Sequence, residues 1–303
     1  MPLGFESFSL KQISTDLGYV EKWLSNKGVA VAENRFSETK ESMLTISTLY
    51  EQGKLNDLPP VWGNEKIIAS ILEATSFVNI YKAFNDLPDH LVPRNSLKKA
   101  VTGSYLSQTE DATTNTNEAR NFLFELELAA HLASNGVEIL DFDDITFELD
   151  DTIWNIQCKR PMYDRNIDGH IEKAVQQGIN FFDRENSKLV PRGIIAISVD
   201  KILGSDKTVI RTFSADTLND YLSNKLKEFV RQNEHKWQRK TDNRILAVLF
   251  FVRAVVEIKN PSLTIMPIKY FGIDYLIFPS THKADDALRF QSLTKLLAGS
   301  KGL

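Results

Sequence analysis

Apolar residues recur at helical spacing through the first hundred positions. Leu17–Leu24, Thr39–Tyr50 and Lys66–Phe84 each carry such a pattern, and Gly53, the Pro59–Pro60 pair, Gly63 and Pro88 interrupt it. No stretch there alternates with period two, which predicts an all-helical N-terminal region. The polar run Gln108–Asn117, with Ala112 as its one apolar residue, reads as a linker or surface loop. Beyond it the pattern changes. Asn115 and Glu118 form a helix N-cap pair, and that helix is expected to stop at Asn135–Gly136. A short apolar piece (Val137–Leu140), a strand (Ile145–Leu149), an Asp150–Asp151 turn and a second strand (Thr152–Lys159) follow. Next come a helix at about 168–182 and a buried strand at Gly193–Val199. A long amphipathic helix (Leu218–Trp237), an apolar strand (Ile245–Val252) and a last helix (Ala284–Leu297) complete the chain. The expected class is α/β, with a helical region over 1–108 and an α/β domain over 109–303 whose core order is α-β-β-β-α-β.

The 303 residues are 42% hydrophobic and 25% charged, the balance of a globular protein with a proper core. Lys and Arg number 36 against 40 Asp and Glu, a net charge of −4, which excludes a polybasic arm that holds nucleic acid by charge alone. The single cysteine, Cys158, forms no internal disulfide and builds no cysteine-rich zinc site, so a reducing cytoplasm is expected. The start, MPLGFESFSL, lacks the pattern of a secretory signal, and the apolar run Ile245–Val252 is too short to span a bilayer, so no membrane partner is expected. GxxxxGK[ST], HExxH and GxSxG motifs are absent.

The chemistry concentrates in DDITFELDDTIWNIQCKRP, Asp143 to Pro161. A two-residue loop at Asp150–Asp151 pairs Leu149 with Thr152 and sets Asp144 opposite Gln157. Alternation then puts Ile145, Phe147, Leu149, Trp154, Ile156 and Cys158 on a core face. Asp144, Thr146, Glu148, Ile153, Asn155, Gln157 and Lys159 share the other. Opposed Cβ atoms lie about 5 Å apart, so Asp144 and Gln157 can chelate one ion with Lys159 beside them. A carboxylate, an amide oxygen and an ammonium suit a hard cation and a phosphate. On the preceding helix the apolar stripe is Phe122, Leu126, Ala129 and Ala133. Glu125 flanks that stripe and needs a partner, a metal or a lysine; Glu118 lies two turns earlier on the same side. Glu127, Arg120 and His131 fall on the far face.

FELELAA on a helix, then Asp144, then Gln157-Cys158-Lys159-Arg160-Pro161 resembles the PD-(D/E)XK, or restriction-endonuclease-like, nuclease superfamily. The resemblance covers roughly Asn115 to Val199. It implies a central mixed sheet and a nuclease that hydrolyses phosphodiester bonds with Mg²⁺ or Mn²⁺. It also implies that Asp144, Gln157, the Cys158 main-chain carbonyl and Glu125 hold the metal, with Lys159 as the catalytic lysine. DNA is the implied substrate ahead of RNA, in restriction, repair or defence against mobile elements. Two positions depart from the pattern. Asp143 stands where a proline often precedes the aspartate, and Gln157 replaces an acid, removing one negative charge from the site.

Plainer readings stand beside these. Asp144, Gln157 and Lys159 also fit a solvated face of an exposed hairpin, and Glu125 a surface acid in a salt bridge. Glu127 and His131 fit an exposed helix pair, and Cys158 a buried small hydrophobe. Arg160 and Lys173 suit either a phosphate or open solvent. Lys225–Arg244, which includes Lys236, Arg239 and Lys240, is a candidate phosphate-tracking surface with Trp237 available to stack, or else a solvated helix face. The N-terminal helices suit target recognition, dimerisation or docking of a protein partner. The alternative function is a weakened nuclease fold that only binds nucleic acid or protein.

Overall fold

The computed structural model describes residues 9–103, 118–238, 242–259, 264–276 and 283–298. The predicted linker and the Asn115 cap lie outside them. Among the described residues the chain forms α1 (Leu10–Asn26), α2 (Arg35–Glu51), α3 (Asn64–Phe84), α4 (Arg94–Ala100) and α5 (Glu118–Ser134). Then follow β1 (Ile139–Asp141), β2 (Ile145–Leu149), β3 (Thr152–Lys159), α6 (Ile167–Arg184) and β4 (Val190–Ser198). The rest is α7 (Asp200–Leu203), β5 (Ile210–Thr212), α8 (Ala215–Asn233), β6 (Ile245–Ile258), β7 (Thr264–Tyr275) and α9 (Lys283–Ala298).

Local chemistry sets the helix starts. The Ser9 hydroxyl accepts the Gln12 N–H at 3.0 Å to open α1, and Asn34 with Ser37 forms a reciprocal capping box on α2. α3 is buried around its circumference from Ile68 to Ile80 and packs on α1, α2, α5 and β6. It is the one described helix long and apolar enough to cross a bilayer, and 67% of that stretch is buried within the fold. Glu73 at its middle is held by Arg120 at 2.6 Å and Arg35 at 3.4 Å, an arrangement of a protein interior.

The seven-stranded mixed sheet runs β1-β2-β3-β4-β6-β5, with β7 also paired to β6. The pairs β1/β2, β2/β3 and β6/β7 are antiparallel, while β3/β4, β4/β6 and β5/β6 are parallel. Helices cover both faces, which is why β6 is apolar almost throughout. On one face Phe147, Trp154, Ile156 and Phe251 join a core that continues through α5 into α1–α4 and reaches α9. Phe124 of α5 stacks on Phe251 with ring centroids 5.2 Å apart. On the other face Ile195, Ile197, Val248 and Phe250 meet α6 and α8. α6 sits close there, since a Cβ on Gly193 would come within 2.7 Å of the Phe182 ring.

Two expectations need correction, and one strand, β7, is an addition to them. β6 does not end before Arg253 but runs to Ile258. Asp200 takes the Arg253 backbone N–H at 2.7 Å and its Nε at 2.9 Å, and Glu127 lies 3.3 Å from its guanidinium, so the charge is neutralised inside the sheet layer. β7 carries no clean alternation and includes Pro267, which an edge strand tolerates because it needs only one side of its ladder. The far face of α5 is not solvated: Arg120 and Glu127 are 3% and 1% exposed. α5 lies between the sheet and α3, so it is buried on two sides rather than one.

Candidate active site

The β2–β3 hairpin sets the frame. Leu149 pairs with Thr152 and Ile145 with Ile156, and Asp150 takes φ +55° in the two-residue turn, a left-handed value that aspartate tolerates. One further step along this register brings Asp144 against Gln157, whose amide N–H hydrogen-bonds the Asp144 carboxylate. The same amide nitrogen donates to Asn155 Oδ1 at 2.9 Å, and Asn155 Nδ2 donates to Thr146 Oγ1 at 3.2 Å. Thr146 Oγ1 closes the loop by donating to the Asp144 carbonyl at 2.9 Å. Asn155, Gln157 and Thr146 are 0%, 2% and 6% exposed. The polar face is therefore buried under α6, and the solvated-hairpin alternative does not describe it.

Within this network Gln157 Oε1 is buried and meets no donor among the described residues. A buried acceptor left bare costs about 1–3 kcal/mol, so this atom is suited to a cation. Rotation about the terminal torsion of the side chain exchanges amide oxygen for nitrogen and turns that acceptor toward Asp144.

The charged groups around it are pushed toward their neutral forms. Burial raises Glu125 to about 8, with the Asp144 and Asp143 charges adding to the rise and Lys159 and Lys99 opposing it. Asp144 is also raised, chiefly by burial, against the pull of the Gln157 hydrogen bond and Lys159. Burial lowers Lys159, while Cys158, Asp144 and Glu125 act the other way. Two carboxyls and an ammonium thus share one poorly solvated place at the end of β3, and Glu125 reaches it from α5. Among the described residues no three His, Cys, Asp or Glu side chains form a metal-holding group. The donors here are two carboxylates, one amide oxygen and the Cys158 carbonyl, an all-oxygen set that fits Mg²⁺ or Mn²⁺. Cys158 itself is buried, with a thiol raised well above its ordinary value by burial and then by Glu125, so it is no nucleophile.

The sequence reading missed His170. It lies on α6, half-buried, and burial together with Lys159 and Lys173 lowers its pKa. The residue follows Ile167 by three and precedes Ala174 by four, positions that flank the buried stripe of α6. Its missed signal was that flank, the same one that singled out Glu125.

The expected nucleic-acid contacts divide. Lys173 is exposed and its charge acts on Lys159. Arg160 is 4% exposed and its charge acts on Asp200, which corrects the solvated reading. Lys236 is held by the Asp164 carboxylate at 3.2 Å and carbonyl at 3.1 Å; Arg239 and Lys240 lie outside the described residues. Trp237 is fully buried and donates its indole N–H to Asp274 at 2.8 Å, so it stacks on no base. His131 is likewise no ligand partner of Glu127: its Nε2 lies 2.8 Å from the Leu297 carbonyl and its ring packs on Phe271.

Comparison of the chain with protein-family models, curated proteins and solved structures finds no match.

Proposed function

We propose that the protein is a Mg²⁺- or Mn²⁺-dependent nuclease of the PD-(D/E)XK kind, acting on DNA ahead of RNA. The meeting of Asp144 and Glu125 with Lys159 and the Gln157 amide in one poorly solvated place carries this reading, because carboxyls held out of water call for a compensating cation. The element order α5-β1-β2-β3-α6-β4 and the parallel β3/β4 pair support it, being what the resemblance implies.

Asp144, Glu125, Gln157 Oε1 and the Cys158 carbonyl would hold the cation. When bound, it would supply positive charge to a phosphodiester and acidify a water. Lys159 holds its ammonium next to Asp144 and Glu125, where it can orient a water and meet the charge that grows on the phosphate. Its lowered affinity for protons eases proton exchange with that water. The incubation that tests this uses linear, circular and single-stranded DNA and RNA, each with Mn²⁺ and with EDTA. Cleavage with Mn²⁺ alone is expected, and intact substrates throughout would sink the enzyme reading.

A second reading has one observation in its favour. The Gln157 amide already satisfies Asp144 without a cation, as suits a catalytically weakened fold that binds nucleic acid or a protein. Calorimetric titration with Mn²⁺ separates the two, since a scaffold has no need to bind the ion at Asp144.

A further inference from the structure

A cavity lies near the site on the side of the N-terminal helices. Its volume is about 380 Å³, and it is lined by Asn95, Ser96, Lys98 and Lys99 of α4, Phe122 of α5, and Asp143. Asp143 is the chain neighbour of Asp144, and the Lys99 charge is felt at Glu125. The cavity therefore lies close to the proposed cleavage site, one residue along the chain from Asp144.

Its chemistry is that of a polyanion's track. Lys98 is exposed and has no ion-pair or hydrogen-bond partner among the described residues. Lys99 lies over the Phe122 ring at 4.2 Å and has a longer ion pair, 3.5 Å, with Glu118. Both members of that pair are about half exposed, 52% and 54%, so water screens it and the ammonium can turn to a phosphate. Phe122 is half-buried, packed on the core with the Lys99 ammonium over its ring, so it positions that cation, while Asn95 and Ser96 add polar groups. Two cations side by side on one wall, with polar groups nearby, form a charged path of the kind a nucleic-acid backbone follows. The volume is at the small end of ligand-sized cavities, room for a nucleotide rather than a folded partner. The basic residues that follow α8 are already engaged, Lys236 by Asp164 and Arg244 by Asp242 and Asp183, with Trp237 buried, and the exposed Lys225 and Lys227 on α8 itself serve as the comparison.

We infer that α4 forms one wall of the substrate groove, with Lys98 and Lys99 holding phosphates of a nucleic-acid strand next to the cleavage point. The helical region then serves substrate binding as well as packing. This inference rests on the nuclease reading of the adjacent site.

The test is fluorescence anisotropy of labelled single-stranded and duplex DNA and RNA against the full chain in EDTA, so that cleavage does not intervene. The titrations run over a range of salt. Lys98→Ala/Lys99→Ala is expected to weaken binding about tenfold or more near 0.1 M salt. It should also flatten the log–log salt slope by about 1.4 for single strands and about 1.8 for duplex, the loss of two phosphate contacts. Lys98→Glu, which disturbs no packed group, should weaken binding severalfold with an unchanged melting temperature. Lys225→Ala/Lys227→Ala on α8 should change affinity less than twofold. If the wild type binds but the α4 variants bind equally well, the α4 assignment falls while the nuclease reading stands. If the wild type binds no nucleic acid, both fall. Displacement of DNA by polyglutamate at equal charge would also overturn the inference, marking a cation patch that takes any polyanion, an acidic protein included.

Discussion

Glu125 should make cation binding strongly pH-dependent. Its carboxyl titrates at about 8 against an ordinary 4.5, mainly because α5 carries it into a poorly solvated place. At pH 7 only about one carboxyl in ten is ionised, so recruiting it as a ligand costs about 1.4 kcal/mol, or tenfold in affinity. Mn²⁺ binding at pH 7 should then release about 0.9 proton from this residue, falling to about 0.1 at pH 9. Asp144, raised in the same direction, adds to that release. Affinity should rise about tenfold per pH unit up to pH 8 and then level off. The cation-free protein shows the opposite trend. The folded state keeps a proton on Glu125 that the unfolded chain gives up, so this group's stabilisation is full below pH 4.5 and is lost as pH climbs through 8. The span from 4.5 to about 8, at about 1.4 kcal/mol per pH unit, is worth roughly 5 kcal/mol if fully expressed. Glu125→Gln should abolish both trends, raising stability at pH 8–9 and weakening Mn²⁺ binding. Calorimetry in buffers of different ionisation enthalpy counts the protons, and thermal melts at pH 5–9 follow stability. Release of no proton at pH 7, with a pH-independent affinity, would refute the placement of Glu125.

Three further outcomes are expected. Gln157→Glu sets a second carboxylate beside buried Asp144, so it should lower the melting temperature without Mn²⁺ and restore or exceed it with Mn²⁺; equal shifts in both conditions would count against Gln157 as a ligand. Lys159→Ala should leave melting nearly unchanged, since relief of the ammonium's desolvation offsets the lost attraction to Asp144 and Glu125, yet slow cleavage by at least about a hundredfold; equal rates would remove the lysine from the chemistry. Glu127→Ala strips the carboxylate from Arg253 and Lys269, 3.3 and 3.2 Å away, and should cost about 3–5 kcal/mol in denaturant unfolding; a cost under about 1 kcal/mol would show the network to be dispensable.

The hairpin and its register were legible because period-two alternation and a two-residue turn leave only one pairing. Asp150–Asp151 pins Leu149 to Thr152, and Asp144, Gln157 and Lys159 then project together. Glu125 was legible as an acid beside an apolar stripe. The same logic failed for Glu127 and Arg120, because a stripe assumes one buried side and α5 has two, and nothing local announces that α3 will cover the other. β7 was hidden by Pro267 and Gly272, and the length of β6 by Arg253, whose partners Asp200 and Glu127 are distant in the chain. Trp237 looked like a stacking residue on a basic helix end, but its partner Asp274 is 37 positions on. Long-range pairing of charges, more than local propensity, separates the sequence reading from the fold.

A cation is expected to bind between Asp144, Gln157 and Glu125. Crystals grown with Mn²⁺ and measured at the manganese edge test it most directly. An anomalous peak is expected about 2.1–2.2 Å from an Asp144 oxygen, the Cys158 carbonyl and Gln157 Oε1, with the Gln157 amide turned from its present hydrogen bond. No peak there at saturating Mn²⁺, with the Gln157 N–H still facing Asp144, would contradict the account.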